Sequence, residues 1–308
     1  AAEVARELDQ LERNLSRALT AGPARAHAAL LKPARSILQR LWAQLVGPVA
    51  PMLRGRARIF IVPYGPLHAL PFNLLHDGAG YLIEQAEIVT LPGAAMLLRG
   101  GPRRQDGARV IVHDDAGRLP DVEREAEVIQ TLFPTMALKG AAATRVALRA
   151  PPARILHIAA HGAYRTDNPD FSHIALADGQ LLIDDLLQMD LSYELVTLSA
   201  CETGRGRVTA GDETLGIGWA FLYAGAGAVV SSLWRVSDAR TAPLMAGFYG
   251  ALHNGLSKSS ALRAAQLRAL AEDPGAHPAF WGAFQLLGSP AALSRDEIES
   301  GGPSGPHG

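Results

Sequence analysis

The sequence predicts an α/β protein with a largely parallel sheet covered by helices on both faces. Short, uniformly apolar runs recur along the chain, amphipathic helical segments separate them, and glycine- and proline-rich turns mark the junctions. With 308 residues, 48% of them hydrophobic and 19% charged, the chain has the composition of a globular protein with a sizeable core.

The elements follow in order. Over residues 3–20, Val4, Leu8, Leu11, Leu15 and Leu19 recur at helical spacing. Residues 28–46 repeat the pattern; Pro33 interrupts it and Gly47-Pro48 ends it. A buried strand at 58–62 stops at Pro63, and strand-like runs follow at 81–83 and 86–91. The stretch 100–107 is the clearest linker, with a short cluster of Arg99, Arg103 and Arg104 that reads as a solvated loop. Beyond it, strands are expected at 109–113, 155–160, 195–200 and 228–233. Helices are expected at 120–133, from Thr144, and at 214–224, 239–253 and 257–271, with a last apolar stretch at 279–287. The Gly/Pro/Ser tail at 301–306 has no means of building a core. This divides the chain into a helical connector (1–54), an intermediate region (55–107), a catalytic-type region (108–290) and a disordered tail (291–308).

Composition narrows the function classes. A formal net charge of −1 gives no bulk attraction to nucleic acid or to an anionic membrane, so neither is expected as a partner. The uncharged run Leu215–Trp234 is long enough to span a bilayer, but four glycines divide it, and a buried helix, turn and strand explain it better. The single cysteine excludes an internal disulfide and fits a reducing, cytoplasmic compartment. The chain begins Ala1-Ala2-Glu3, which suggests a segment of a longer protein.

Two predicted strands end in reactive side chains: His161 follows the strand at 155–160, and Cys201 follows that at 195–200. Ligands of open parallel sheets gather outside the carboxyl ends of the strands, so adjacent strands would aim both side chains into one crevice. A thiol of pKa about 8.5 needs a base to become a nucleophile. An imidazole can take that proton and later return it to a leaving amine. Backbone N–H groups of Gly162 and Cys201 are the natural donors to an oxyanion, and one such donor contributes ~3–4 kcal/mol in a transition state. Spacing alone leaves open a buried cysteine and a hydrogen-bonded core histidine.

Several segments in order resemble the CHAT family of caspase-like peptidases. They are His157-Ile158-Ala159-Ala160-His161-Gly162 with Asp167-Asn168-Pro169; Leu198-Ser199-Ala200-Cys201-Glu202-Thr203-Gly204; Gly211-Asp212-Glu213; Phe221-Leu222-Tyr223-Ala224-Gly225-Ala226; and Ser232-Leu233-Trp234-Arg235-Val236-Ser237-Asp238. Upstream, the segments from Val62 to Phe72 and from Leu91 to Ala94 also fit, so the resemblance runs from about residue 35 to 290. It implies a caspase-like sandwich with an N-terminal helical extension, His161 as base and Cys201 as nucleophile. It further implies a protein substrate, helical repeats of TPR type upstream or in trans as a regulatory module, and a role in signalling or bacterial defence.

The loop after the 228–233 strand lines the specificity pocket in caspase-like enzymes, which nominates Ser232, Leu233, Trp234 and Asp238, with Ser199 beneath them. Glu202 either orients His161, lines the cleft or caps a turn. Asp212, with Glu213, either caps the helix expected from Thr214 or recognises a basic side chain, and Asp238 has the same two readings for its own helix. An acidic pocket favours Lys or Arg at the residue before the cleaved bond, and a capped carboxylate leaves an apolar preference; the balance tips towards basic. His157 shares a strand face with His161; it either hydrogen-bonds inside the core or orients its neighbour, and a metal pair would need Asp184 or Asp185 as a third ligand. No cluster completes such a site, so no metal or other cofactor is expected. The glycines at 225–227 lack the lysine of a phosphate loop. The loops at 163–180 and 202–213 flank the dyad, and their ordering is an expected control point. The competing readings are a catalytically silent scaffold acting through its N-terminal helices, and a thiol hydrolase with a small closed pocket.

Overall fold

The computed structural model describes residues 2–21, 24–99, 106–114, 122–149, 153–163, 171–199, 207–208, 214–234, 236 and 238–294. The two amphipathic patterns at the start become α1 (Ala2–Thr20) and α2 (Ala24–Leu45), which pack on one another. A bidentate pair, Arg40 Nε and Nη2 to the Glu7 carboxylate at 2.7 Å each, ties them together. α2 runs unbroken through Pro33. That proline is exposed, as is Ala29 one turn earlier, so the carbonyl it leaves unpaired faces water. A short α3 (Ala50–Leu53) leads into the sheet.

The sheet begins with β1 (Arg58–Ile61), continues through α4 (Leu82–Gln85) to β2 (Glu87–Thr90), and then to β3 (Ala108–His113). The run at 81–83, expected as a strand, is instead the start of α4. Tyr81 forms one isolated bridge to His76, and Glu84 accepts the Tyr81 N–H at 2.5 Å, which turns the chain into a helix. After α5 (Val122–Leu132) comes β4 (Thr135–Lys139), an edge strand absent from the sequence reading. The helix expected from Thr144 is only a 3-10 turn, Arg145–Leu148. β5 (Ile155–Ala160) is followed by a small antiparallel sheet of β6 (Gly162–Ala163), β7 (His173–Leu176) and β8 (Gly179–Leu182), and then by α6 (Ile183–Leu187). β9 (Leu195–Ser199) precedes a two-stranded ribbon, β10 (Arg207–Val208) with β11 (Thr214–Leu215). α7 (Ile217–Tyr223) therefore starts later than the expected Thr214, and Gly216 holds its N-cap position. β12 (Ala228–Ser232), α8 (Asp238–His253), α9 (Lys258–Glu272) and β13 (Phe284–Gly288) complete the chain.

The eight-stranded sheet has the order β1-β2-β13-β12-β9-β5-β3-β4. Every pair is parallel except β12–β13. Its interior strands β5, β9 and β12 are buried on both faces, which is why they read as continuous apolar runs. Alternate residues feed two cores. Ile155, Ala159, Leu195 and Val230 join α5, α8, α9 and the N-terminal helices on one face; Leu156, Ile158, Val196 and Val229 join α6 and α7 on the other. α7 and β12 account for the long uncharged run at 215–234, and no described helix is long and apolar enough to cross a membrane. Residues 291–294 lie along the opposite end of the sheet, where Lys258 Nζ donates to the Ala291 carbonyl at 2.9 Å and Glu194 accepts the Ser294 N–H at 2.8 Å. The tail at 301–306 is outside the described residues.

Candidate active site

Three adjacent strands deliver the candidate side chains to one end of the sheet. Ala159 of β5 pairs with Ser199 of β9, and Leu198 of β9 pairs with Ser231 of β12. His161 is two residues past Ala159 and Ser232 one past Ser231, so His161, Ser199 and Ser232 meet at the carboxyl edge. This is where an open α/β sheet places its ligands.

His161 is half-buried, and its carbonyl accepts the Ala175 N–H at 2.8 Å from β7. Its Nε2 is shut off from solvent and makes no hydrogen bond among the described residues. A buried ring nitrogen without a partner is costly, and it is also free to exchange a proton with a group brought to it. Gly162 follows in β6, paired with Ile174. Ser199 is half-buried, and Ser232 is buried at 2% exposure. Cys201, Glu202 and Asp212 lie outside the described residues; Asp238 is the first residue of α8, and its side chain lies outside them too.

The layer beneath is a buried polar chain in which His157 is the expected core histidine and its partners Tyr249, Thr197 and Glu125 are ones the sequence did not disclose. His157 of β5, four residues before His161, is fully enclosed. Its Nδ1 lies 3.0 Å from the Tyr249 hydroxyl, which donates to Thr197 Oγ1 at 2.8 Å. With its proton given to Thr197, the phenol accepts from Nδ1–H. Glu125 Oε2 lies 3.2 Å from His157 Nε2, off the line of a good hydrogen bond. Burial raises the Tyr249 pKa, and the Glu125 charge adds to that, so the phenol stays protonated. His157 is thus engaged by α5 and α8 and does not join His161 as a ligand pair. Asp185 accepts the Leu182 N–H at 3.0 Å at the start of α6. Among the described residues no group of three or more His, Cys, Asp or Glu side chains is placed to hold a metal.

Beyond β12, Leu233 and Trp234 are buried at 2% and 7% exposure, and the Leu233 N–H donates to the Ala283 carbonyl at 3.0 Å. The Trp234 indole Nε1–H donates to the Ala279 carbonyl at 3.0 Å. Both side chains border a cavity of about 370 Å³ whose other walls are α1 and the segment Pro66–Pro71. That segment packs on β10, and His68 stacks edge-on against Trp219 of α7 with ring centroids 5.9 Å apart. The sequence singled out Leu233, Trp234 and the motif from Val62 to Phe72 separately. It carried no sign that α1 completes a cavity with them, because α1 reads as an ordinary amphipathic helix.

A second buried chain links these walls. Asn14 of α1 donates from Nδ2 to the Leu30 carbonyl at 3.2 Å, and its Oδ1 lies 2.8 Å from His277 Nε2. His277 Nδ1 accepts the Ala279 N–H at 3.2 Å, so Nε2 carries the ring proton. His277 is fully buried, and burial pushes its pKa down to about 4.

The CHAT domain profile matches residues 35–289. Tetratricopeptide repeat protein 28 is 27% identical in Mus musculus and 26% identical in Homo sapiens; each match covers 88% of this chain and 14% of the relative. The chain therefore spans about a seventh of the length of these curated relatives. Among solved structures, separase in the Saccharomyces cerevisiae separase–securin complex matches 74% of this chain and 15% of its own, with a TM-score of 0.54 at 14% identity. The Arg-specific cysteine proteinase gingipain R matches 89% of this chain and 70% of its own, with a TM-score of 0.57 at 9% identity. The fold shared with these solved structures is the caspase-like α/β sandwich.

Proposed function

Because this chain belongs to the CHAT domain family, we propose that it is a cysteine endopeptidase that cleaves a protein partner, with His161 as base and Cys201 as nucleophile. The observation that carries the reading is the buried Nε2 of His161, without a partner among the described residues, at the carboxyl end of β5 and beside the strand that leads to Cys201.

The reaction then runs in two halves. His161 takes the Cys201 proton, and the thiolate attacks the scissile carbonyl to form a C–S bond. The oxyanion is held by backbone N–H groups, those of Gly162 and Cys201 in this reading. Collapse expels the amine, which takes the proton from the imidazolium. Water, deprotonated by His161, then attacks the thioester and frees the acid and the thiol.

Ser199, Ser232, Leu233 and Trp234 form the pocket side of the cleft in this reading, with Glu202, Asp212 and Asp238 as its carboxylates. The capping explanation of Asp212 loses ground because Gly216, four residues later, holds the N-cap of α7. A basic preference before the cleaved bond follows. The TPR-named relatives support a repeat module upstream or in trans that switches the cleft on, and a cytoplasmic setting fits the lone thiol. In the test, wild-type protein cleaves its partner and Cys201→Ala, equally folded, does not. Retained cleavage in that variant refutes the proposal, and loss of all cleavage in wild type under every activating condition returns the scaffold reading.

A further inference from the structure

We propose that α1 is one wall of a substrate subsite, and that the cavity it shares with Leu233 and Trp234 takes a bulky apolar side chain flanking the scissile bond; this rests on the peptidase reading above. The cavity, about 370 Å³, has the size of a small-ligand pocket. Leu8, Leu15 and Leu19 face it from α1, Pro66 faces it from the loop, Leu233 and Trp234 close it, and the exposed Asp9, Glu12, Ser16 and Thr20 of α1 also line it. Such walls favour a leucine- or phenylalanine-sized guest over an acidic one.

Its position suits a substrate side chain. Leu233 directly follows Ser232 at the end of β12, the strand beside β9. The cavity is thus one strand away from the edge where His161 and Ser199 meet. The walls are also held before any ligand arrives. The Glu7–Arg40 pair fixes α1 to α2, and the Asn14–His277 bond joins α1 to the turn whose Ala279 carbonyl holds the Trp234 indole. A preformed pocket binds without first ordering its walls. Asn14 and His277 are therefore positioning residues for this subsite.

The test uses the full chain as Cys201→Ala, titrated with capped tetrapeptide amides that carry Ala, Leu, Phe or Asp at one scanned position. The reporter is the Trp234 indole N–H resonance, assigned among the four tryptophans with Trp234→Phe. Peptides with Leu or Phe should bind about 10- to 100-fold more tightly than the Ala peptide, the factor expected from burying one such side chain. Leu8→Trp, at a partly exposed wall position, should fill the cavity and bring that ratio close to one. Leu19→Ala should enlarge it and move the preference from Leu towards Phe. Equal binding of the Ala and Phe peptides, no binding by any peptide, or an unchanged ratio in both wall variants overturns the subsite. Alkylation of wild-type Cys201 by the matching peptidyl electrophiles separates the two claims. Alkylation without apolar selectivity removes the subsite alone, and apolar-selective binding without alkylation removes the peptidase reading alone.

Discussion

Acidification from pH 7 to pH 5 should cost the fold about 2 kcal/mol through His277 alone. The imidazole is fully buried, donates from Nε2 to Asn14 and accepts at Nδ1 from Ala279, so its hydrogen bonds are complete in the neutral form. Burial lowers its pKa from 6.5 to about 4; a hydrogen bond to the Leu30 backbone opposes the shift, and the nearby His27 adds to it. In the unfolded chain the ring gains its proton as the pH falls through about 6.5, while the folded form gains none until about 4. Stability from this group is therefore whole above pH 6.5 and declines on acidification, with a limit of about 3 kcal/mol below pH 4. Urea unfolding of wild type and His277→Gln at both pH values isolates the term, since other titrating groups are common to the two proteins. Wild type should lose about 2 kcal/mol more than the variant between the two conditions. Equal losses would refute the claim that His277 is held neutral between α1 and the Trp234 turn.

Three further outcomes follow from the packing. Tyr249→Phe removes the hydroxyl between His157 Nδ1 and Thr197 Oγ1 and should destabilise the fold by about 1–3 kcal/mol, read as a lowered denaturation midpoint; an unchanged midpoint would mean that the buried chain is not coupled to stability. Gly288 has φ +88° and a Cβ there would sit 2.7 Å from the Gly227 carbonyl oxygen, so Gly288→Ala should cost more than about 1 kcal/mol by thermal unfolding. Asn14→Leu leaves His277 Nε2 without its acceptor and should lower the melting temperature and shift the Trp234 indole resonance together, whereas a shift of neither would disconnect α1 from the turn.

The interior of the sheet was legible because β5, β9 and β12 are buried on both faces and leave an unbroken apolar signature. β4 was not. It is an edge strand of half-exposed residues directly behind α5, and it blends into the helical pattern before it. The small sheet at 162–182 escaped for a related reason, being strands of two to four residues that turn at Gly179. The reversed direction of β13 has no local signal at all, since pairing sense is decided by the path of α8 and α9. Candidate site residues divide the same way. His161 and Ser232 were marked by the strands that end beside them. The Asn14–His277 bond joins residues 263 positions apart, and neither partner stands in a pattern that betrays the other. Periodicity identified α1 as needing an apolar surface, but not that part of its surface faces a cavity.

The most direct measurement is the rate at which a peptidyl acyloxymethyl ketone alkylates the chain, followed by intact mass. The chain has one cysteine, so any thioether adduct reports Cys201. If His161 and Cys201 act as a dyad, wild type is labelled stoichiometrically and His161→Ala reacts about 10²- to 10⁴-fold more slowly, the range of a lost general base. Equal rates in the two proteins, or a Cys201 that resists the peptide reagent yet reacts freely with iodoacetamide, would contradict the dyad.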